Sequence, residues 1–512
     1  MRTIEQILIS EEETERFGSD IAMALGAGDT IALRGELGAG KTTLARGLIR
    51  QLADDDELEV PSPTYTLCQS YELGAVQLFH FDLYRLGDES EIEELGFGEA
   101  IENGIVLVEW PERAGDALPE DMLTIELSMH PSGGRLARIG HGKAGLGARL
   151  ERSLAIRDFL DRTWGKGAKR RFLQGDASTR RYETATLGGE TRVLMDSPRQ
   201  PDGPPVKAPT GEFKPYSRIA HLAEDVTAFI AMDEALRGQG FAAPEIFGKS
   251  ISEGLLLTEH LGTQGLLSAD GMPIPERYCE AARLLAHVHA ADWPAAVSGE
   301  GGPGETYRHT ISRYDRAAIL IEASLLADWY VPAMTGEELG VEARAGFFAL
   351  WDRLAALMQT TRSSLVLRDY HSPNLIWRGE QAFPANIGLI DFQDAMLGPA
   401  AYDLASLGQD ARVDISPALE QDVIAAYLAE ANRTLEHFDT EMFKRDYAVM
   451  AAQRATKVLG IFVRLDRRDG KPGYLRHLPR LRDYLTRNLA HPALAEYRAW
   501  LASVPGIGMA ME

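Results

Sequence analysis

Short apolar runs alternate with helix-spaced stretches through the first 140 residues. IALRG (31–35), LFHFDLY (78–84), IVLVEW (105–110) and LTIELSM (123–129) are too short for helices and rich in β-formers, which predicts strands. TTLARGLIRQL (42–52) puts Leu44, Leu48, Ile49 and Leu52 on one face, which predicts a helix. Strands alternating with helices predict an α/β domain. The pattern then changes to a helix after about 151, strands around 180–195, another helix, and a strand at GLLLTEH (254–260). From about 275 helix dominates, over ERYCEAARLLAHVHAADW, 340–360, 416–432 and 442–465, so a strand-rich small lobe precedes a helical large lobe. Two stretches break the periodicity. MHPSGGRLARIGHGKAGLGARL (129–150) carries six glycines; its PSGG predicts a hairpin turn before a short strand, and its second half a flexible linker. SPRQPDGPPVKAPTGEFKP (197–215) carries six prolines and predicts a long loop, because proline fits neither a helix interior nor a central strand. The expected layout is a first domain at 1–143, a linker at 144–154, and a second domain at 155–505 with lobes at about 155–262 and 263–505.

Composition narrows the class. The chain has 512 residues, 25% charged and 45% hydrophobic, which excludes disorder, collagen-like repeats and long coiled coils. Its two cysteines, Cys68 and Cys279, exclude a disulfide scaffold and fit a reducing compartment. The N-terminus has an acidic run where a signal peptide needs a basic start, and no run of 18 apolar residues follows. A soluble cytoplasmic protein without a membrane partner is expected. Residues 1–150 hold 12 basic and 28 acidic side chains, the rest 41 and 48. So acidic a first part repels a phosphate backbone; no direct nucleic-acid binding is expected there, and a partner would have to hold any nucleic acid.

GELGAGKTT (35–43) fits G-x-x-x-x-G-K-[ST] and lies between a predicted strand and a predicted helix, the arrangement of a P-loop NTPase. Gly35, Gly38, Gly40 and Thr43 would wrap phosphates with backbone amides, Lys41 would reach the β/γ-phosphates of ATP, and Thr42 would bind Mg²⁺. Asp82 and Glu109 are the acids embedded in apolar strands. Buried carboxylates are costly unless paired or metal-bound, so both are candidates for the metal ligands and the water-positioning group that a P-loop needs. An ion pair of Asp82 with Arg85 is the alternative.

In the second domain LVLRDYHSPNLIW (365–377) holds Asp369 and, five residues on, Asn374; Asp391 follows in IGLIDFQDA. Phosphoryl transfer to an alcohol needs a carboxylate to take the hydroxyl proton, plus an amide oxygen and a second carboxylate for Mg²⁺; Asp369, Asn374 and Asp391 supply these. His371 is expected to shape this loop and Asp403 to tie it down. His287 and His289, two apart on a helix, do not share a face and are not expected to hold a metal. The small polar loop Gly175–Thr179, with Ser178, would cover the ATP phosphates, and backbone at Glu259–Leu261 would hold adenine. The expected small-lobe lysine is missing from RVLMD (192–196). Arg180, Arg181, Lys207 or Lys214 would replace it, with Glu224 as the basic group's partner, or else the domain is inactive.

GELGAGKTTLARG, SPTYTL (62–67), HFDLYRL (80–86) and VEWPER (108–113), in this order, resemble the TsaE family of bacterial ATPases of tRNA threonylcarbamoyladenosine (t6A) formation. The resemblance implies Mg-dependent ATP hydrolysis supporting a threonylcarbamoyl-transferase complex of TsaB/TsaD-like partners. It places Thr64 in a switch-like segment and Trp110 beside the nucleotide. Residues 155–505 resemble the aminoglycoside-phosphotransferase-like kinases, a bilobal protein-kinase-like fold, and within them the cell-wall amino-sugar anomeric kinases (AmgK family). The telling stretches are GDASTRRY, VLMDSP, LLLTEHLG, ADWY, LRDYHSPNLIW, IDFQDAMLGPAAYDLASL and KVLGIFVRL. The VLMD departure from the lysine rule is part of that resemblance. The implied reaction is phosphorylation of the anomeric hydroxyl of N-acetylmuramate and N-acetylglucosamine in peptidoglycan recycling, with Glu322, Asp328, Trp329, Tyr330, Arg368 and His371 facing the sugar. A kinase for an aminoglycoside or amino-alcohol is the alternative and would need a strongly acidic cleft; a non-catalytic nucleotide-binding scaffold is the other.

Overall fold

β1 (Ile4–Leu8) and α1 (Glu11–Ala22) precede the first expected strand, β2 (Thr30–Arg34), in a computed structural model that describes residues 4–73, 76–88, 91–141, 144–173 and 180–507. α2 (Lys41–Ala53) follows β2 directly. β3 (Cys68–Leu73) and β4 (Val76–Asp82) pair antiparallel, and short helices α3 (Glu91–Glu94) and α4 (Phe97–Asn103) lead to β5 (Ile105–Glu109). β6 (Leu123–Met129) and β7 (Arg135–His141) flank the expected PSGG turn. The sheet runs β1-β7-β6-β2-β5-β4-β3, with β2 parallel to β5 and β6, and β4 parallel to β5. The central strands are unbroken apolar runs because helices and loops cover both faces of a parallel sheet. In register, Glu109 lies opposite Leu33 on one side and Asp82 on the other, so both acids reach the carboxyl edge, where such sheets bind ligands. α1 and α2 touch backbone to backbone. A Cβ on Gly18 would come within 2.3 Å of the Leu44 carbonyl oxygen, and one on Gly47 within 2.0 Å of that of Glu15.

The flexible linker expected at 144–154 is instead part of a 20-residue helix, α5 (Ala144–Thr163). Each glycine costs a helix about 1 kcal/mol, but Leu146 and Leu150 are buried in the core under the sheet, worth about 1.5–3 kcal/mol apiece, and Ile156, Phe159 and Leu160 are buried further along. β8 (Lys169–Leu173), β9 (Arg181–Leu187) and β10 (Glu190–Asp196) follow. A buried ionic cluster fixes α5 and β8 to α1. Asp20 accepts Arg157 Nε at 2.9 Å and Arg170 Nη1 at 3.0 Å, and Arg170 Nε also reaches Glu183 of β9 at 2.7 Å. The chain divides into two compact units, Met1–Met195 and Asp196–Glu512. That division falls inside the stretch read as the small lobe, because this cluster gathers β8 and β9 into the first unit.

The second unit opens on the proline-rich stretch. Instead of one long loop it holds a two-stranded ribbon, β11 (Pro205–Lys207) with β12 (Phe213–Pro215). α6 (Tyr216–Ile219), α7 (Val226–Gly238) and the antiparallel pair β13 (Ile246–Ser250) and β14 (Leu255–Glu259) come next. α8 (Pro275–Ala290) starts the helical part, and an unexpected hairpin, β15 (Ala296–Gly302) with β16 (Glu305–Thr310), interrupts it. α9 (Arg316–Leu325) passes through a wide turn, Leu326–Tyr330, into α10 (Val331–Thr335), and α11 (Val341–Met358) follows. Among the described residues, 316–335 is the one helical stretch long and apolar enough to cross a membrane; 67% of it is buried inside the protein, as in a core helix. β17 (Ser363–Val366) pairs with β20 (Met396–Pro399), and between them β18 (Leu375–Trp377) pairs with β19 (Ile387–Leu389). α12 (Ala401–Gly408), α13 (Pro417–Thr434), the 30-residue α14 (Thr440–Asp469), α15 (Leu478–Asn488) and α16 (Ala495–Ala502) complete the unit.

Candidate active sites

The loop between β2 and α2 depends on glycine. Gly35, Gly38 and Gly40 take φ of 140°, 80° and 106°, a region closed to most side chains. A Cβ on Gly35 would also sit 2.4 Å from the Leu127 carbonyl oxygen. Lys41 and Thr42 open α2, with Thr43 one residue further on. The Lys41 ammonium donates to the carbonyls of Gly35 (2.8 Å) and Glu36 (3.0 Å) and lies 3.8 Å from the centre of the Trp110 ring. Burial pushes its pKa below the ordinary value, while Glu109, Asp82 and Glu112 pull the other way. Trp110 takes a left-handed φ of 60° immediately after β5, which directs its ring at the loop.

Asp82 and Glu109 are both buried. Asp82 Oδ2 accepts the hydroxyls of Ser62 and Thr64, each at 2.6 Å, and its Oδ1 accepts the Tyr84 amide at 3.0 Å. The alternative pairing with Arg85 is not made: that guanidinium lies 4.3 Å over the Tyr65 ring. Glu109 accepts the Thr42 hydroxyl at 3.2 Å and meets His80 Nε2 at 3.1 Å. His80 was not singled out from the sequence; a lone histidine in an apolar strand reads as core packing. Among the described residues neither acid makes an ion pair with Lys or Arg. Two buried carboxylates beside a threonine hydroxyl, without a cationic side chain to pair them, form a donor set suited to a small hard cation.

In the second unit, the two oxygens of Asp403 accept the amides of Leu367 (2.5 Å) and Arg368 (2.9 Å), tying down the loop as expected. Arg368 there takes a φ of 69°. Asp369 follows with its side chain 45% exposed. The Asn374 amide donates to the Asp369 carbonyl at 2.9 Å and to Asp391 Oδ2 at 3.4 Å, and Gln393 donates to Asp391 Oδ1 at 2.9 Å. The antiparallel register Leu375↔Leu389 sets Asn374 and Asp391 at the same end of the β18–β19 pair. Desolvation opposes the charge on Asp369, but His371, Lys457, Arg368 and Arg454 outweigh it and hold the carboxyl below its usual range. His371 Nε2 lies 3.9 Å from Asp369 Oδ1, and burial lowers its own pKa.

The expected sugar-facing residues separate into two groups. Glu322, Tyr330 and Arg368 are buried and bonded within the protein, while His371 is buried with its Nδ1 left without a partner. Glu322 pairs with Arg368 and, at 2.8 Å, with Lys457; it also accepts Tyr314 (2.6 Å) and Gln453 (3.1 Å). Burial opposes its charge, yet Lys457 and Arg368 hold its pKa down at about 2. Arg368 also donates to the Ala220 carbonyl at 2.9 Å, and the Tyr330 hydroxyl is held by Arg482 at 2.6 Å. Asp328 and Trp329, by contrast, line a cavity of about 490 Å³ with Tyr216, Arg344, Arg464 and Arg468.

Gly175, Ser178 and Thr179 lie outside the described residues. Arg180 and Arg181 line a cavity with Asp29 and Arg149, all within the first unit. Glu224 takes Arg199 and Arg218 as partners rather than either lysine, while Lys214 pairs with Glu212. Glu259 pairs with Arg378 at 3.2 Å and its amide donates to the Glu245 carbonyl; Leu261 packs toward Gly388. His287 and His289 part company, the first bonding Glu430 and the second Tyr427.

A glycine-wrapped loop feeding two strand-end acids, followed by an Asp–Asn–Asp set on a helical lobe, defines a nucleotide-hydrolysing domain joined to a phosphotransferase. Comparison with known proteins agrees. The family described as "Threonylcarbamoyl adenosine biosynthesis protein TsaE" matches residues 8–137, and the "Phosphotransferase enzyme family" matches residues 169–438. An N-acetylmuramate/N-acetylglucosamine kinase of Caulobacter vibrioides is 33% identical over 359 residues, 68% of this chain and 96% of that protein. The tRNA threonylcarbamoyladenosine biosynthesis protein TsaE of Rickettsia felis is 36% identical over 133 residues, 26% of this chain and 77% of that protein; that of Rickettsia bellii is 35% identical over 139 residues, covering 27% and 96%. The chain belongs to the TsaE family through its first part and to the phosphotransferase family of these amino-sugar kinases through the rest.

Proposed function

We propose that the first domain hydrolyses ATP in support of t6A formation by TsaB/TsaD-like partners, and that the second phosphorylates the anomeric hydroxyl of N-acetylmuramate and N-acetylglucosamine for peptidoglycan recycling. In the first domain the P-loop amides and Lys41 bind the phosphates, and Thr42, Asp82 and Glu109 are the residues that would hold Mg²⁺. Glu109 orients and deprotonates the attacking water. In the second, Asn374 and Asp391 would hold Mg²⁺. Magnesium, when bound at either site, supplies positive charge to the phosphate oxygens. Asp369 accepts the proton of the anomeric hydroxyl as its oxygen bonds to the γ-phosphorus; the bond from that phosphorus to the β,γ-bridging oxygen breaks, and ADP leaves.

The observation that supports the kinase reading is the Asn374 amide bonded to both the Asp369 backbone and the Asp391 carboxylate. Arginines around the Trp329 cavity argue against a cationic aminoglycoside or amino-alcohol. An enzyme drawing on ATP and carrying two free cysteines fits the cytoplasm. Phosphorus NMR of a reaction with ATP, Mg²⁺ and N-acetylmuramate tests the reading. A sugar 1-phosphate resonance growing with ADP is expected; ADP with inorganic phosphate alone would contradict it.

A further inference from the structure

The cavity beside Trp329 is built for a negative charge. Arg344 is already neutralised by Asp328 at 2.7 Å, and Arg468 by Asp469 at 2.7 Å. Arg464, on the same face of α14 one turn before Arg468, has no carboxylate within ion-pair distance among the described residues. Its Nε is buried with no hydrogen-bond partner, and its guanidinium, hydrogen-bonded to the Tyr216 side chain, lies 5.5 Å from the centre of that ring. A half-buried guanidinium held by an aromatic side chain at the wall of a cavity, with no carboxylate to neutralise it, is a receptor for a planar oxyanion. The rest of the wall suits a sugar: Trp329 and Phe348 give apolar faces, and Ile321 and Leu325 come from α9. That helix also carries Glu322, whose carboxylate grips Arg368, the residue before Asp369, so one element shapes both the cavity and the catalytic loop.

N-acetylmuramate differs from N-acetylglucosamine by one ether-linked lactyl group, and that group ends in a carboxylate. We propose that Arg464 receives this carboxylate and is the residue that lets the enzyme take N-acetylmuramate in addition to the neutral sugar. The inference rests on the kinase reading above and deepens it. A charge-assisted, fork-shaped contact is worth one to two orders of magnitude in discrimination against a ligand that lacks the anion.

The test compares kcat/KM for the two sugars in wild type, Arg464→Gln and Arg464→Lys. Arg464→Gln is expected to lower the ratio of N-acetylmuramate to N-acetylglucosamine efficiency 10- to 100-fold, chiefly through KM, and Arg464→Lys to recover part of it. Direct titration of each variant with each sugar should show the same selective loss without turnover. A ratio within threefold of wild type in Arg464→Gln, or equal losses on both sugars, would overturn the proposal. Wild-type protein that phosphorylates neither sugar would overturn the kinase reading itself, and this proposal with it.

Discussion

His80 shows how a single side chain sets up the first site. It is fully buried beside Glu109 and holds one of that carboxylate's oxygens, leaving the acid oriented toward Thr42. Partners of this kind typically contribute 10- to 100-fold to metal affinity or activity. His80→Phe should therefore lower the ATPase kcat by that factor and raise the Mg²⁺ concentration needed for half activity; a loss of kcat with no change in Mg²⁺ dependence would contradict the orienting role. Glu322 plays the corresponding part in the second unit. Removing its charge leaves Arg368 and Lys457 buried without a counter-ion, which costs about 3–5 kcal/mol. Glu322→Gln should shift the urea midpoint of the unit downward by a matching amount. The acids Asp82 and Glu109 stood out in the sequence because a carboxylate in an apolar strand needs a reason. His80 and Arg464 did not, since the first looks like core and the second comes to one cavity with Tyr216 and Trp329 only through the tertiary fold.

At the scale of elements, α5 is where local propensity and packing disagree. Its glycines read as a linker, and only the burial of Leu146 and Leu150 and the Asp20–Arg157 pair reveal a helix. Leu150→Ala should destabilise the first unit by about 2–5 kcal/mol, read from thermal or urea unfolding; an effect under about 0.5 kcal/mol would mean that the segment is the loose linker after all. The parallel strands were legible because central strands of such a sheet are apolar on both faces. The β15–β16 hairpin was not, since AVSGEGGPGETYRHT carries the glycines of a loop. The proline-rich stretch likewise hid the β11–β12 ribbon, whose prolines sit at strand ends where no ladder bond is lost.

Across the whole molecule, acid should strike the second unit through His289. It is buried, its Nδ1 meets the Tyr427 hydroxyl at 2.8 Å, and burial pushes its pKa down to about 3. The unfolded chain binds a proton near pH 6.5 that the folded one refuses until about 3. The stability this residue contributes is therefore complete above 6.5 and is lost as pH falls through the window below it, by about 2 kcal/mol at pH 5. Urea unfolding at pH 7, 6 and 5 should show that slope in wild type and a flatter one in His289→Gln; parallel curves would contradict it.

The central claim is that one chain carries two separate sites for ATP, one at a P-loop and one at a kinase-like catalytic loop. It is tested most directly by measuring ATP consumption with and without N-acetylmuramate in wild type, Lys41→Ala and Asp369→Asn. Asp369→Asn is expected to cut the sugar-dependent part at least about 1,000-fold and to keep the basal hydrolysis, while Lys41→Ala does the reverse. Loss of both activities in either variant, or sugar-dependent turnover unchanged by Asp369→Asn, would contradict it.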